Sequence, residues 1–298
     1  MNTIRRRIFF AGIAFAAALL LYAAASAAIL VMALTPLRKP HDRTPVSAGL
    51  KAQAITLESA KDGTRLAGFY LPAGTERAIV MVHGLDSNCW DGNDRDIARA
   101  YAAHGYGVVL FDLRGQGESG GRLLGLGWKE RDDVRAAVDF LLEKGFRPGR
   151  IGIHGSSYGA ATALLAAAYI PEVGAVVADS PFADMRDLMT NELKAKVGNA
   201  GFFMPGIVWI GKIFFGLDLA EIPPIKAIGS IAPRPVFLLH GEGDTRIPVE
   251  QSLKLKAASA NRPLELWTLP GVEHTQEYNA NPAEFMKRTC AFFDRYLK

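Results

Sequence analysis

Three patterns of apolar residues succeed one another along this chain. The first is continuous: residues 8–34 contain no charge and no polar face, between Arg5, Arg6 and Arg7 on one side and Arg38, Lys39 and Arg43 on the other. Roughly 27 residues at about 1.5 Å each exceed a ~30 Å hydrocarbon core, so residues 1–35 are expected to form an N-terminal transmembrane anchor. A cleavable signal with a small-residue site at Ala25-Ser26-Ala27 is the rival reading, but "ILVMAL" extends the apolar run past that site. The basic flanks nearly balance. A first hydrophobic segment commonly keeps its basic N-terminus inside, so the expected topology is single-pass, with the body exported.

Pro36, Pro40 and Pro45 then mark a linker over 36–50. Beyond it the second and third patterns alternate. Short β-branched runs fall at 54–58, 65–71, 77–82, 107–112, 150–154, 174–179, 235–240 and 264–269. Helical spacing occupies 94–104, 129–144, 158–169, 249–260 and 282–297. Strands separated by helical stretches predict βαβ units, hence a mostly parallel eight-stranded sheet covered by helices on both faces. The first two strands leave no room for a helix and are expected to pair antiparallel at one edge. One stretch, about 182–232, is too long for an ordinary connection and too apolar for a loop. It predicts a helical cap carrying Phe202, Phe203, Met204, Trp209, Phe214 and Phe215, which would help enclose a water-poor pocket.

Composition narrows this picture only a little. The 298 residues carry a net charge of +4, much of it near the N-terminus, and no basic patch interleaved with aromatics, so nucleic acid is not an expected partner. Cys89 and Cys290 are the only cysteines. They form no disulfide framework and no CxxC metal pair, and no metal or organic cofactor is expected.

The chemistry is carried by "IGIHGSSYGAATALL" at 151–165. Only Ser157 has glycines two residues before and two residues after it, between a strand and a small-residue helix. A serine nucleophile needs a base, and the base needs an orienting carboxylate. Of the six histidines, His41 lies in the linker, His154 and His240 end buried strands, and His104 closes a helix. His274, just after the last strand in "LPGVEHTQEY", is the expected base. Asp244, in the loop after the penultimate strand, is the expected acid, with Glu242, Glu273 and Asp179 as rivals. An oxyanion requires two N–H donors. Those of Tyr158, which follows the serine, and Leu85, in "HGLDS" after the third strand, are the candidates.

From about residue 52 to 298 the chain resembles the α/β-hydrolase superfamily: "HGLDS", "DLRGQGES", "GSSYG", "HGEGDTRIP" and "GVEH" stand in that superfamily's order. Within it the likeness is to the serine-aminopeptidase-like and esterase-like branch with an N-terminal membrane anchor. The resemblance implies an α/β-hydrolase fold for 51–298, with Ser157 as nucleophile, His274 as base, Asp244 as its partner, and Leu85 and Tyr158 as oxyanion donors. It also implies that Asp112, Arg114 and Ser119 are structural. One departure is Glu273, where many relatives have glycine before the histidine. The expected activity is a serine hydrolase acting through an acyl-enzyme on a small-molecule or lipid-like acyl substrate, carboxylesters before peptides because the cap is apolar. Acyl transfer through the same residues and a non-catalytic binding role are the alternatives.

Overall fold

A computed structural model describes residues 3–197, 200–220, 223–260 and 263–298, without the side chains of 192, 193, 195–197 and 200. Residues 198, 199, 221 and 222 of the expected cap therefore lie outside the described residues. The chain opens with one long helix, α1 (Thr3–Leu34). The body follows as β1 (Gln53–Glu58), β2 (Arg65–Leu71), β3 (Ala78–Val82), α2 (Gly92–Ala103), β4 (Gly107–Phe111) and α3 (Glu130–Glu143). Next come β5 (Ile151–Ser156), α4 (Tyr158–Tyr169) and β6 (Val173–Asp179). The insertion supplies α5 (Met185–Val197), α6 (Met204–Phe215) and α7 (Pro224–Ile231). The chain ends with β7 (Val236–Gly241), α8 (Glu250–Ala258), β8 (Leu264–Leu269), α9 (Glu277–Ala280) and α10 (Pro282–Tyr296).

The eight strands form one sheet in the order β1-β2-β4-β3-β5-β6-β7-β8. β2 alone runs against the others, pairing antiparallel with both β1 and β4, and every remaining pair is parallel. The central strands are buried on both faces, and their period of two divides them between two cores. Ala78, Val80 and Val82 of β3 face one core with α3, α4 and α7, whereas Ile79 and Met81 face the other with α2 and α10. α4 is buried almost all round. Its alanines let it lie close against the sheet while leaving no polar face.

The order reverses at β3: the chain leaves it for β4 on one side, while β5 lies on the other. Loops after β3 and β5 therefore diverge at their C-terminal ends, opening a crevice where ligands of parallel sheets bind.

Two segments differ from the sequence reading. Residues 36–50 are not a loose tether. Arg38 donates to the carbonyls of Ser119 (2.6 Å) and Gly121 (2.5 Å), and the His41 ring, buried, lies 3.1 Å from Asp112. Nor does the cap pack all its aromatics inward. Ile207, Ile210 and Gly211 of α6 are buried, but Phe202, Trp209 and Phe214 are exposed, because α6 pairs along one side with α1. The buried stripe on α1, Ser26, Leu30 and Leu34, recurs every four residues, as one face of a helix requires.

Candidate active site

The turn between β5 and α4 shows why it needs its glycines. Ser157 sits there at φ 54°, ψ −116°, a left-handed conformation costly for a residue with a side chain. A Cβ on Gly155 would lie 2.2 Å from the Gly159 carbonyl oxygen, and one on Gly159 would lie 2.0 Å from that of Val82. Only glycines at both positions let the turn close against β3. The Ser157 N–H donates to the Asp179 carbonyl at 2.8 Å, which pins the turn to β6.

Ser157 Oγ lies 2.8 Å from His274 Nε2, and His274 Nδ1 lies 2.6 Å from Asp244 Oδ2. Ser156 points elsewhere: its hydroxyl donates to Asp94 at 3.0 Å. The structure thus brings together the three residues expected to act, from loops 30 to 117 residues apart in sequence. Asp244 is buried, which by itself opposes ionisation. Hydrogen bonds involving His240 and His274, with the Ile247 N–H (2.8 Å), outweigh that cost and hold the carboxyl well below the usual carboxylate range. Asp244 is an anion poised to keep a proton on His274 Nδ1 and leave Nε2 facing the serine.

The loops carrying Asp244 and His274 are pressed together. Gly243 N–H donates to Val272 O at 2.9 Å, and a Cβ on Gly241 would sit 2.1 Å from that same oxygen. Beneath them lies a residue the sequence reading missed. Glu277 is buried and accepts from Ser180 Oγ (2.9 Å) and from the Gly241 N–H (2.7 Å). Ser180 in turn accepts from the Thr275 N–H at 3.3 Å, and Asn93 donates to the Thr275 carbonyl at 3.0 Å. These bonds set the residue next to His274. Nothing in the sequence marks Glu277, because its partners come from two other loops.

The rival acids are placed differently. Glu242 and Glu273 are exposed, and Glu242 accepts from Thr268. Asp179 is buried beside Glu277; burial, then the Glu277 charge and hydrogen bond, push its carboxyl well up.

Leu85 and Tyr158 both line a cavity of about 260 Å³ that reaches Ser157. Tyr158 is the first residue of α4, so its N–H has no carbonyl within the helix to accept it. Buried His83 fixes the other loop: its Nδ1 lies 2.7 Å from Gly84 O while Nε2 accepts the Leu113 N–H at 3.0 Å. Leu124, Leu126, Phe182, Met185 and Met189 give this cavity an apolar stretch of wall, beside the polar Thr35, Asp86 and Arg246. A second cavity of about 480 Å³ meets Ser157 and His274 from the opposite side, and its lining is polar, including Asn93, Asp94, Thr275 and Asn279. Ser157 therefore stands between two cavities, the first of which carries the larger apolar side chains.

The "DLRGQGES" loop supports rather than faces this site. Asp112 accepts from the Cys89 and Glu118 N–H groups, both at 2.8 Å, and Arg114 makes a two-pronged ion pair with Asp133. Among the described residues His41, Cys89 and Asp112 bring possible metal-ligating atoms within 4.8 Å of one another. Asp112 already spends its oxygens on two N–H groups and His41, and burial raises the Cys89 thiol well above its usual range, so this cluster reads as a hydrogen-bonded strap. His154, buried against Tyr101, and His104, which pairs with Asp294, lie away from the serine.

Comparison with known proteins agrees with this fold. Residues 95–298 match the family model described as the prolyl oligopeptidase family. The chain belongs to that family. Its members share the α/β-hydrolase fold seen here, so the protein is a member of an esterase- and peptidase-like hydrolase family. Uncharacterized protein YqkD of Bacillus subtilis is 30% identical over 258 residues, covering 85% of this chain and 83% of the relative. Uncharacterized protein Rv2307c of Mycobacterium tuberculosis is 32% identical over 236 residues, covering 76% and 74%. Among solved structures, an esterase of Pyrococcus furiosus superposes with a TM-score of 0.73 at 25% identity, covering 89% of this chain and 100% of that one.

Proposed function

We propose that this family member is a membrane-tethered serine hydrolase of carboxylesterase type. The observation that carries the reading is the hydrogen-bonded series Ser157–His274–Asp244, with its serine in a cavity that has an apolar stretch of wall. In the proposed cycle Ser157 Oγ attacks the substrate carbonyl as its proton passes to His274 Nε2, while Asp244 holds the imidazolium. The oxyanion is received by the Leu85 and Tyr158 N–H groups. His274 then protonates the leaving alcohol, which departs through the polar cavity, and a water activated by the same histidine releases the acid. The acyl chain lies along Leu124, Leu126 and Met189. α1 tethers the enzyme as a single-pass anchor, with the body on the extracytoplasmic side.

Labelling with a fluorophosphonate tests the chemistry. Wild type and Ser156→Ala should label and Ser157→Ala should not; a labelled Ser157→Ala protein refutes the assignment. The apolar wall also makes a chain-length prediction. Among p-nitrophenyl esters, kcat/KM should rise from acetate to longer acyl groups, and strict preference for acetate counts against an acyl-binding cavity. The family's peptidase members favour a second reading, cleavage of a peptide bond. Turnover of a prolyl-peptide amide faster than any ester would decide for it.

A further inference from the structure

We infer that α6 is a second membrane-contacting element, which, with α1, opens the cavity at Ser157 toward the bilayer so that acyl substrates enter from the lipid phase. The inference rests on the hydrolase and anchor readings above.

It begins with the helix pair. Tyr22 of α1 donates its hydroxyl to Phe202 O (2.9 Å) and accepts the Gly206 N–H (3.0 Å). Four residues on, Ser26 lies where a Cβ on Gly206 would sit 2.4 Å from its Oγ, and after four more Leu30 lies in ordinary contact range of a Cβ on Gly211, at 3.6 Å. Glycine and serine at this seam allow the close approach typical of helices packed within lipid. α6 consequently travels beside the last three turns of α1.

The outer face of the pair is apolar. Phe202 is 61% exposed, Trp209 60% and Phe214 70%, with Ile213 between them. Trp209 and Ile213 are four residues apart and share one face of α6, opposite buried Ile207. The helix's one charge, Lys212, pairs with Asp218 at 2.7 Å. Large apolar side chains exposed together in this way mark a contact surface. Its occupant is argued from continuity with α1. That helix exposes Ile8, Phe9, Leu20, Val31 and Met32, so large apolar side chains are exposed both on the anchor and on the cap helix packed against it. The uncharged part of α1 is about 40 Å long, some 10 Å more than a hydrocarbon core. Its final turns, with α6 beside them, are therefore placed at the lipid boundary, where an indole such as Trp209 settles favourably.

The same turns wall the cavity. Met32 and Ala33 of α1, followed by Thr35 and Pro36, line it together with Ser157. An acyl chain leaving the bilayer beside Met32 thus meets the cavity without crossing water, and the anchor forms part of the substrate site.

Two measurements on the full-length protein in dioleoylphosphatidylcholine vesicles test this. In the first, Trp209 emission is isolated as the difference between wild type and Trp209→Phe, with and without phosphatidylcholine brominated in its acyl chains. We expect brominated lipid to quench that difference at least twofold; unchanged emission overturns the membrane contact, as burial against a second copy would. In the second, Trp209→Asp/Phe214→Asp is assayed on soluble p-nitrophenyl acetate and on p-nitrophenyl palmitate carried in the vesicles. Palmitate turnover should fall at least tenfold with acetate turnover unchanged within twofold. An equal effect on both, or on neither, overturns lipid-phase entry. Fluorophosphonate labelling of each variant separates the outcomes: wild type that labels but shows no quenching refutes this inference alone, whereas wild type that fails to label refutes the hydrolase reading.

Discussion

Gly159 approaches Val82 so closely that a methyl group on it would lie 2.0 Å from the Val82 carbonyl oxygen. This contact presses the start of α4 against β3 and brings the Tyr158 N–H near the Leu85 loop. Gly159→Ala must push the helix away from the sheet. We expect a loss of about 2–3 kcal/mol in urea unfolding, since overpacking typically costs about 1–3 kcal/mol and the clash here is with backbone. Ester turnover should fall at least a hundredfold in the fraction that still folds. An alanine variant with unchanged turnover would remove the steric account of the turn.

Asp244→Asn keeps the shape of the carboxylate while removing its charge. Its amide can present a donor to His274 Nδ1, which favours the tautomer with Nε2 protonated and unable to accept from Ser157. A fall in kcat on the order of 10³–10⁴ is expected, together with a lower unfolding midpoint, because the ionised carboxylate stabilises the fold through its hydrogen bonds. Measuring kcat on the folded fraction separates the loss of catalysis from the loss of stability.

Glu277 is expected to separate shape from charge in the opposite way. Glu277→Gln can still accept the Gly241 and Ser180 hydrogen bonds through its carbonyl oxygen and donate to Asp179. It should keep turnover within about threefold. Glu277→Ala leaves a buried N–H without its acceptor, at about 1–3 kcal/mol, and frees the loop beside His274. Its turnover should fall at least tenfold. If both variants behave alike, Glu277 does not position that loop.

Asp94 supplies the pH dependence. Burial pushes its carboxyl up to about 7, against a smaller downward pull from the Ser156 hydrogen bond. An unfolded chain releases that proton near the usual carboxylate value, so the native state binds it more tightly. This contribution is complete at low pH and is lost as pH rises through 7. Asp94→Asn abolishes the loss. Its melting temperature should exceed that of wild type by a few degrees at pH 8 and match it near pH 4; equal differences at both pH values would exclude Asp94 as the source.

Shortening the chain tests whether α1 is only a tether. Leu30 and Leu34 are fully buried, and burying one leucine contributes about 1.5–3 kcal/mol. A protein lacking residues 1–45 should therefore lose about 3–6 kcal/mol and show altered acyl-chain preference, because Met32, Ala33 and Pro36 leave the cavity wall. One lacking only residues 1–21 should unfold at nearly the wild-type denaturant concentration. Equal stability of the two would contradict the packing of the last turns of α1.

Much of this molecule is legible without coordinates because its signals are local. The strand-like runs at 65–71 and 264–269 coincide with β2 and β8. The glycines around Ser157 announce a turn because their spacing is local, although the contact that Gly159 relieves is with Val82 on another strand. The same locality singles out Ser157 over Ser156. What required the folded chain was every relationship formed across it. The placement of β4 between β2 and β3 and the support of Glu277 depend on segments meeting only in the fold, whereas Asp244 is already the expected acid in the sequence. The apolar run of α1 marks a helix fit for lipid, yet hydrophobicity is non-directional and names no partner. Only the close approach of Ser26 to Gly206, and of Met32 to the cavity of Ser157, turns that helix from an address into part of the site.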